Sequence, residues 1–499
     1  MHFDRESYVK ALETRDARFD GVFFVGIAST RIYCRPICPA RVSLRKNRRF
    51  FSNAAAAERA GFRPCLRCRP ELAPGLARVD AVTRLAELAA RRIAAGALNG
   101  RGVDRLAGEL GVSGRQLRRA LQLELGVAPI ELAQTHRLLL AKQLLTDTRL
   151  PVSQVAFASG FQSLRRFNAL FRTRYQMNPE SLRRDGSRAA GLTPSRSAST
   201  AERGDTVRLT LTCRDPFAWE PLLGFLAARA APEVECVDGS GYMRTVQIDG
   251  HTGVIRVSRA ERPNPRAGSR AATPALHLDV SAALMPVLMQ VRAAVSCLFD
   301  LDAEPETIES HLVRAGIGPI SPAHRGLRVP GAFDAFEVAT RAILGQQVSV
   351  KGASTLMSRL TLTFGSPFRA THAALTRLPV SAASLANATV EQIKAIGLPL
   401  ARATTIRTLA QQVASGALRI DPGADVHNLT KQLRAIAGIG PWTSEYIAMR
   451  AVHWPDAFPA SDLVLCRSAG NLTSAQLLKA AERWRPWRAY AAMHLWARA

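Results

Sequence analysis

Acidic residues are scarce in this sequence. Its 499 residues hold 40 Asp and Glu against 67 Lys and Arg, a formal net charge of +27 at pH 7. Most of the basic excess is arginine, and such a surface is expected to meet a polyanion, because the guanidinium fork suits phosphate. GC-rich coding, which favours Ala and Arg, is the bland source of the same composition. Long apolar runs are also missing. No stretch of 18 apolar residues occurs, so no membrane partner is expected. The opening MHFDRESYVKALETRD has no apolar core of a signal peptide. Both absences predict a cytoplasmic, nucleoid-associated protein whose thiols stay reduced. Disorder of the whole chain is excluded, because 47% of the residues are hydrophobic. The length calls for several separate cores.

The chain divides by pattern. Four of the eight cysteines fall within the first 70 residues. From about 78 to 184 the apolar period is that of consecutive amphipathic helices. The segment DGSRAAGLTPSRSASTAERGDT is polar and without period, which predicts a linker. VRLTLTC at 207–213 and MRTVQIDGHTGVIRVS at 243–258 alternate as strands, with a turn at Asp249-Gly250. Beyond about 281 the pattern is helical to the end.

Cys34 and Cys38 form one close pair, and Cys65 and Cys68 another, after a gap of 26 residues. In a reducing compartment two such pairs predict a four-thiolate Zn(II) site; the alternative is four unpaired thiols. A zinc-bound thiolate is both a structural ligand and a nucleophile. Arg31, Arg35, Arg41, Arg45, Arg48, Arg49, Arg63, Arg67 and Arg69 lie around the site in sequence. They predict either a phosphate-attracting shell or a solvated basic surface. IYCRPICPAR with GFRPCLRCRP resembles the N-terminal domain of the Ada family of methylphosphotriester-DNA methyltransferases. The resemblance implies that Cys34 accepts the methyl group and that Cys38, Cys65 and Cys68 complete the zinc site. It also implies that methylation raises affinity for DNA and signals to transcription.

VDRLAGELGVSGRQLRRALQLELGVAP, 103–129, predicts a helix, a turn at Gly111-Val112-Ser113 and a second helix bearing Arg115, Arg118 and Arg119. A second unit over 152–184 turns at Gly160-Phe161 and carries Arg165 and Arg166. Arginines placed so can reach bases and phosphates in a major groove, or simply face solvent. The second unit, with Phe167, Phe171 and Asn178-Pro179, resembles the AraC-type DNA-binding family, which the Ada family carries in this position. RNA polymerase is then an implied partner at promoters, besides double-stranded DNA. The Pro-Cys-His-Arg motif of a further methyltransferase domain is absent. Cys213, Cys236, Cys297 and Cys466 stand alone and are expected to be core thiols.

LRAIAGIGPWTSEYIAMR, 433–450, places Gly438 and Gly440 between two helical segments, a helix-hairpin-helix pattern whose N–H groups suit a DNA phosphate. Asp462 follows in FPASDLVL, where a helix cap is the plain alternative to catalysis. AFEVATRAILGQQVSV, GLPLARATTIRTLA, AGIGPWTSEYIAMRA, PASDLVL and ERWRPWRAYAAMHLW occur in that order. Together they resemble the AlkA family, the 3-methyladenine DNA glycosylases II of the helix-hairpin-helix superfamily. The resemblance covers about 207 to the end. It implies that Asp462 is the catalytic carboxylate, that Trp442, Tyr446, Trp496 and Gln346 line a base pocket, and that Gln347 fills the gap left by a flipped base. The family pattern has Leu at that last position, so DNA distortion or damage preference is expected to differ. No Lys stands near Trp442, which implies a monofunctional enzyme without lyase activity. The resemblance further implies a monovalent cation, Na+ or K+, on the backbone carbonyls of Arg434, Ile436 and Ile439.

The expected architecture is multidomain and mainly α. A zinc-bound α+β domain spans 1–76 and an all-α double helix-turn-helix 77–185. A flexible linker spans 186–205. A small antiparallel α+β subdomain spans 206–285, and an all-α helix-hairpin-helix domain 286–499. The expected function joins excision of alkylated purines to methyl-triggered regulation. The alternative is a transcription regulator whose glycosylase-like part is catalytically silent and only binds DNA.

Overall fold

The computed structural model describes residues 5–16, 19–40, 43–73, 84–183, 206–260, 274–421 and 425–498. The expected linker at 186–205 lies outside the described residues, as do the expected boundary at 76 and Arg41. The chain splits into two compact units, Met1–Cys213 with Pro265–Ala293 and Arg214–Asn264 with Ala294–Ala499. Among the described residues no helix is long and apolar enough to cross a membrane.

The first unit opens with α1 (Arg5–Thr14) and a four-stranded sheet, β1 (Phe24–Ile27), β2 (Ile32–Cys34), β3 (Arg48–Phe51) and β4 (Arg63–Pro64). Their order is β3-β1-β2-β4, with β2 and β4 parallel. Helix α2 (Ala54–Arg59) starts at Asn53, whose side chain accepts the Ala56 N–H. Then come α3 (Arg84–Ala94), α4 (Val103–Glu109), α5 (Gly114–Leu125), α6 (Pro129–Asp147), α7 (Val152–Ala158) and α8 (Leu164–Tyr175). Ser113 caps α5 in a reciprocal capping box with Gln116, and Ser163 caps α8. Gly111 at φ +70° and Gly160 at φ +90° make the two expected turns, a backbone state that favours glycine. Leu117 and Leu121 of α5 are buried, as are Phe167 and Phe171 of α8. The arginines Arg115, Arg118, Arg119, Arg165 and Arg166, at the other positions of these helices, face outward, as a 3.6-residue period requires. The unit also holds β5 (Thr206–Thr212) paired antiparallel with β9 (Ala275–Ser281).

The second unit contains α9 (Trp219–Arg229) and the antiparallel run β6 (Glu235–Asp238), β7 (Gly241–Ile248), β8 (His251–Arg259). Asp249 and Gly250, at φ +48° and +82°, form the tight turn of the β7–β8 hairpin, as their dipeptide predicts. The rest is helical. The helices that build the site are α10 (Ala335–Leu344), α11 (Val350–Phe364), α12 (Leu400–Ala414), α13 (Val426–Arg434), α14 (Pro441–Arg450), α15 (Leu463–Ser468) and α16 (Arg488–Trp496). They enclose an apolar core that includes Ile343, Leu344, Ile406, Leu409 and Ile447. The expectation of four core thiols holds fully for Cys213 alone. Cys236, Cys297 and Cys466 are only half-buried.

Candidate metal centre and candidate active site

The parallel pairing of β2 with β4 brings the two cysteine pairs together. The Cys65 N–H donates to the Tyr33 carbonyl at 3.0 Å, so Cys65 follows β4 beside Cys34 at the end of β2. All four sulfurs lie within 4.8 Å of one another. A zinc tetrahedron with bonds of ~2.3 Å places its sulfurs roughly 3.8 Å apart, so the donor set and spacing suit zinc. Electrostatics calls for a cation as well. Hydrogen bonding within the four-thiol cluster splits the group, raising Cys34 and Cys68 while lowering Cys38 and Cys65, so the four do not all ionise unaided. A cation removes that obstacle to ionisation. Among the described residues no other group of His, Cys, Asp or Glu clusters this way. Cys34, Cys38 and Cys65 open onto a cleft of about 420 Å3, which Arg63 and Arg67 also line.

The arginine shell is only partly what the sequence suggests. Arg35 is 5% exposed and turned inward. Its guanidinium pairs with Asp20, and its backbone N–H points at the Cys68 sulfur at 3.3 Å. Arg48 is buried against Glu13 and the Ser43 carbonyl, and Arg69 binds Glu71, Thr146 and Asp147. Carboxylates and carbonyls of the folded chain compete for these side chains, and nearness in sequence does not reveal that. Arg31, Arg45, Arg49 and Arg67 remain exposed, Arg45 paired with Glu13.

Helix α6 is tied to the metal domain by buried polar groups. Glu58 accepts the Tyr33 hydroxyl at 3.0 Å and the Thr135 hydroxyl at 3.1 Å. Burial pushes the Glu58 acid up to about 7, with the two hydroxyls opposing. Lys142 forms an ion pair with Glu71, each side chain 1% exposed. Burial works to raise the Glu71 acid, but Lys142 and Arg69 outweigh it and hold it below the carboxylate range. Lys142→Met would leave that carboxylate buried with only Arg69 beside it. It is expected to lower stability by about 3 kcal/mol, read from the midpoint of chemical unfolding. An unchanged midpoint would show that the pair adds nothing. Arg115, Arg118, Arg119, Arg165 and Arg166 are all exposed, with Arg118 3.5 Å from Asp104.

In the second unit, α13 and α14 are joined by the Gly-Ile-Gly turn. Gly438 has φ +92°, and a Cβ there would sit 2.2 Å from Thr405 Oγ1. Any other residue would have to push the Thr405 side chain aside and hold a strained left-handed φ. Gly440 caps α14, and both glycines are exposed. Gln346 braces this turn: its amide donates to the Gly438 carbonyl at 2.8 Å and to Thr443 Oγ1 at 2.9 Å. Gln347 is exposed, in a left-handed conformation at φ +55°, between α10 and α11. The Ile436 carbonyl accepts the Ile439 N–H at 3.0 Å, and nothing in the turn identifies an ion on Arg434, Ile436 or Ile439.

Trp442 and Tyr446 stand one helical turn apart on α14 with rings stacked at 5.2 Å, and Trp496 of α16 meets Tyr446 edge-on at 6.4 Å. Asp462 joins this cluster. It caps α15, its Oδ1 accepting the N–H groups of Val464 and Leu465 at 3.0 Å each. Trp442 Nε1–H donates to its Oδ2 at 2.9 Å, and Trp496 Nε1–H to its Oδ1 at 3.1 Å. Capping and placement against the aromatic rings are therefore properties of the same side chain. Beneath the rings the Arg450 guanidinium donates to the Tyr446 hydroxyl at 3.0 Å. Burial raises the Tyr446 phenol, but Arg450, Arg229 and Arg341 outweigh it and lower its pKa overall.

Four families match consecutive parts of the chain. They are the metal binding domain of Ada at 7–71, a helix-turn-helix domain at 106–185, the AlkA N-terminal domain at 208–334 and the HhH-GPD superfamily base excision DNA repair proteins at 340–484. The probable bifunctional transcriptional activator/DNA repair enzyme AlkA of Mycobacterium tuberculosis is 40% identical over 505 aligned positions, covering 99% of this chain and 97% of that protein. The chain belongs to this AlkA family. DNA-3-methyladenine glycosylase 2 of Escherichia coli is 37% identical over 292 residues, 58% of this chain and 96% of that protein. The bifunctional transcriptional activator/DNA repair enzyme Ada of Escherichia coli is 36% identical over 124 residues, 25% of this chain and 33% of that protein. The bifunctional AlkA architecture thus runs the whole length described.

For this AlkA-family chain, sequence reasoning missed three contacts: the indole N–H bonds to Asp462, the Gln346 brace and Arg450 beneath Tyr446. Only the last left a local trace, the i, i+4 spacing of Tyr446 and Arg450 on one helix face.

Proposed function

We propose that this protein repairs alkylated DNA and reports the damage to transcription. Its C-terminal half excises alkylated purines of the 3-methyladenine and 7-methylguanine class. Its N-terminal half takes a methyl group from a DNA methylphosphotriester onto Cys34. The observation that carries this reading is a carboxylate, Asp462, held by the indole N–H groups of Trp442 and Trp496 beside a glycine hairpin.

The chain's own residues suffice for the steps of excision. The N–H groups at Gly438, Gly440 and the start of α14 receive a phosphate of duplex DNA. The damaged nucleotide swings out of the stack, and Gln347 fills the space it leaves. A cationic alkylated purine gains from stacking on the electron-rich rings of Trp442, Tyr446 or Trp496. As the bond between sugar and base breaks, its electron pair leaves with the base and positive charge grows on the deoxyribose. The Asp462 carboxylate stabilises that charge, and water completes the hydrolysis.

In the N-terminal half, zinc held by Cys34, Cys38, Cys65 and Cys68 would keep the sulfurs ionised at neutral pH. The Cys34 sulfur attacks the methyl carbon, a sulfur–carbon bond forms, the carbon–oxygen bond breaks and the phosphodiester leaves with the electron pair. The product is a stable thioether, so each protein acts once. Loss of one negative charge beside the DNA lets the exposed arginines of α5 and α8 hold promoter DNA more tightly, where RNA polymerase is the expected partner.

Two measurements test this. Wild-type protein is expected to release 3-methyladenine from alkylated duplex DNA, and Asp462→Asn to lose that release. Incubation with methylphosphotriester DNA is expected to add one methyl group to the Cys34 peptide in mass spectrometry. No adduct, or an adduct on another cysteine, would remove Cys34 from the role.

A further inference from the structure

Asp462 accepts four N–H donors, and its two oxygens share them unequally. Oδ1 takes three, from Val464, Leu465 and the Trp496 indole. Oδ2 takes one, from the Trp442 indole. The two backbone donors are what any Asp at a helix start receives. The two indole donors are not. They arrive from α14 and α16, 20 and 34 residues away in sequence.

A carboxylate oxygen offers about two lone-pair sites. Oδ1 is saturated, whereas Oδ2 keeps a site open. We infer that Asp462 acts on the deoxyribose through Oδ2, and that Trp442 is a positioning residue whose indole N–H aims that oxygen. The inference rests on the glycosylase reading given above. Trp442 then has two separable duties, the ring face for stacking and the N–H for the carboxylate. A carboxylate fixed before the substrate arrives need not reorganise as charge develops, which is where such groups are most effective. Trp496 is not equivalent, because Oδ1 retains two backbone donors without it.

Phenylalanine keeps an aromatic face and deletes the N–H, so it separates the duties. Single-turnover release of 3-methyladenine is compared for the wild-type chain, Trp442→Phe, Trp496→Phe and Asp462→Asn, alongside affinity for duplex DNA holding a tetrahydrofuran abasic site. Trp442→Phe is expected to slow release by about tenfold to a hundredfold, the worth of one hydrogen bond to a charged group, with abasic-site affinity within about twofold of wild type. Trp496→Phe, which also alters the stacking wall, is expected to lose at least about threefold less rate than Trp442→Phe, two donors remaining on Oδ1. Equal losses in both variants would overturn the assignment to Oδ2. A Trp442→Phe rate like wild type, or a slowed rate matched by an equal loss of affinity, would overturn the positioning role. In either case Asp462→Asn still reports separately: if it alone is inactive the glycosylase reading stands, and if it is fully active that reading falls with the inference.

Discussion

Asp462→Asn is expected to slow release of alkylated purines by about 10^3-fold or more while leaving the fold in place. The two effects separate because the side chain serves two ends. As a helix cap, Asn equals Asp, since its carbonyl oxygen can still accept the N–H groups of Val464 and Leu465. A loss of stability below about 1 kcal/mol is therefore expected. The chemistry fares differently. The negative charge that stabilises the sugar cation is gone. An amide NH2 now replaces Oδ2 and meets the Trp442 Nε1–H donor, which had an acceptor 2.9 Å away. Donor against donor pushes the ring or the amide out of line. Single-turnover release, checked against the thermal midpoint of the same preparation, measures both. A variant with full activity would exclude Asp462 from the chemistry. A wild-type protein with no release at all would favour the regulator whose glycosylase-like part only binds DNA.

Removal of the metal with a chelator is expected to unfold the small β-sheet domain around the four cysteines. Its core there is thin. On the cysteine side of the sheet the buried apolar side chains besides the cysteines are Ala11, Leu12, Phe23 and Val25, and the other face adds only Phe24, Tyr33, Phe62 and two alanines. A structural zinc site supplies about 10–16 kcal/mol of apparent binding free energy, far more than such a core can replace. Without the cation the four thiols must also reprotonate. The Arg35 N–H then loses the sulfur charge it faces on Cys68. Protease resistance of the segment before residue 73 is expected to vanish on chelation and return with added zinc. Release of 3-methyladenine, seated in the other unit, is expected to survive. A metal-free domain that stays protease-resistant would show that the sheet stands on its own packing.

Local features carried much of the fold. Alternation in VRLTLTC and the Asp249-Gly250 turn foretold β5 and the β7–β8 hairpin, because a strand's period and a tight turn are set within a few residues. The helix-turn-helix units were legible for the same reason: Ser113 and Ser163 cap, and Gly111 and Gly160 turn, wherever they occur. Strand β6, four residues without clear alternation, left no such signal. The arginines around the cysteines show the limit most clearly. Exposed Arg49 and buried Arg35 look alike in the sequence, and only Asp20, brought beside Arg35 by the folded chain, separates them.

What the sequence alone determined is the order of parts: two cysteine pairs, two capped helix pairs and a glycine hairpin, each specified by residues close together in the chain. Tertiary structure decided how distant side chains share hydrogen bonds: Lys142 with Glu71, Gln346 with the hairpin carbonyl, and two indoles with one carboxylate. Caps and periods are chosen by neighbours a few bonds away. The partner of a buried donor or charge is chosen by whichever complementary group packing delivers, because desolvation leaves it no water to fall back on.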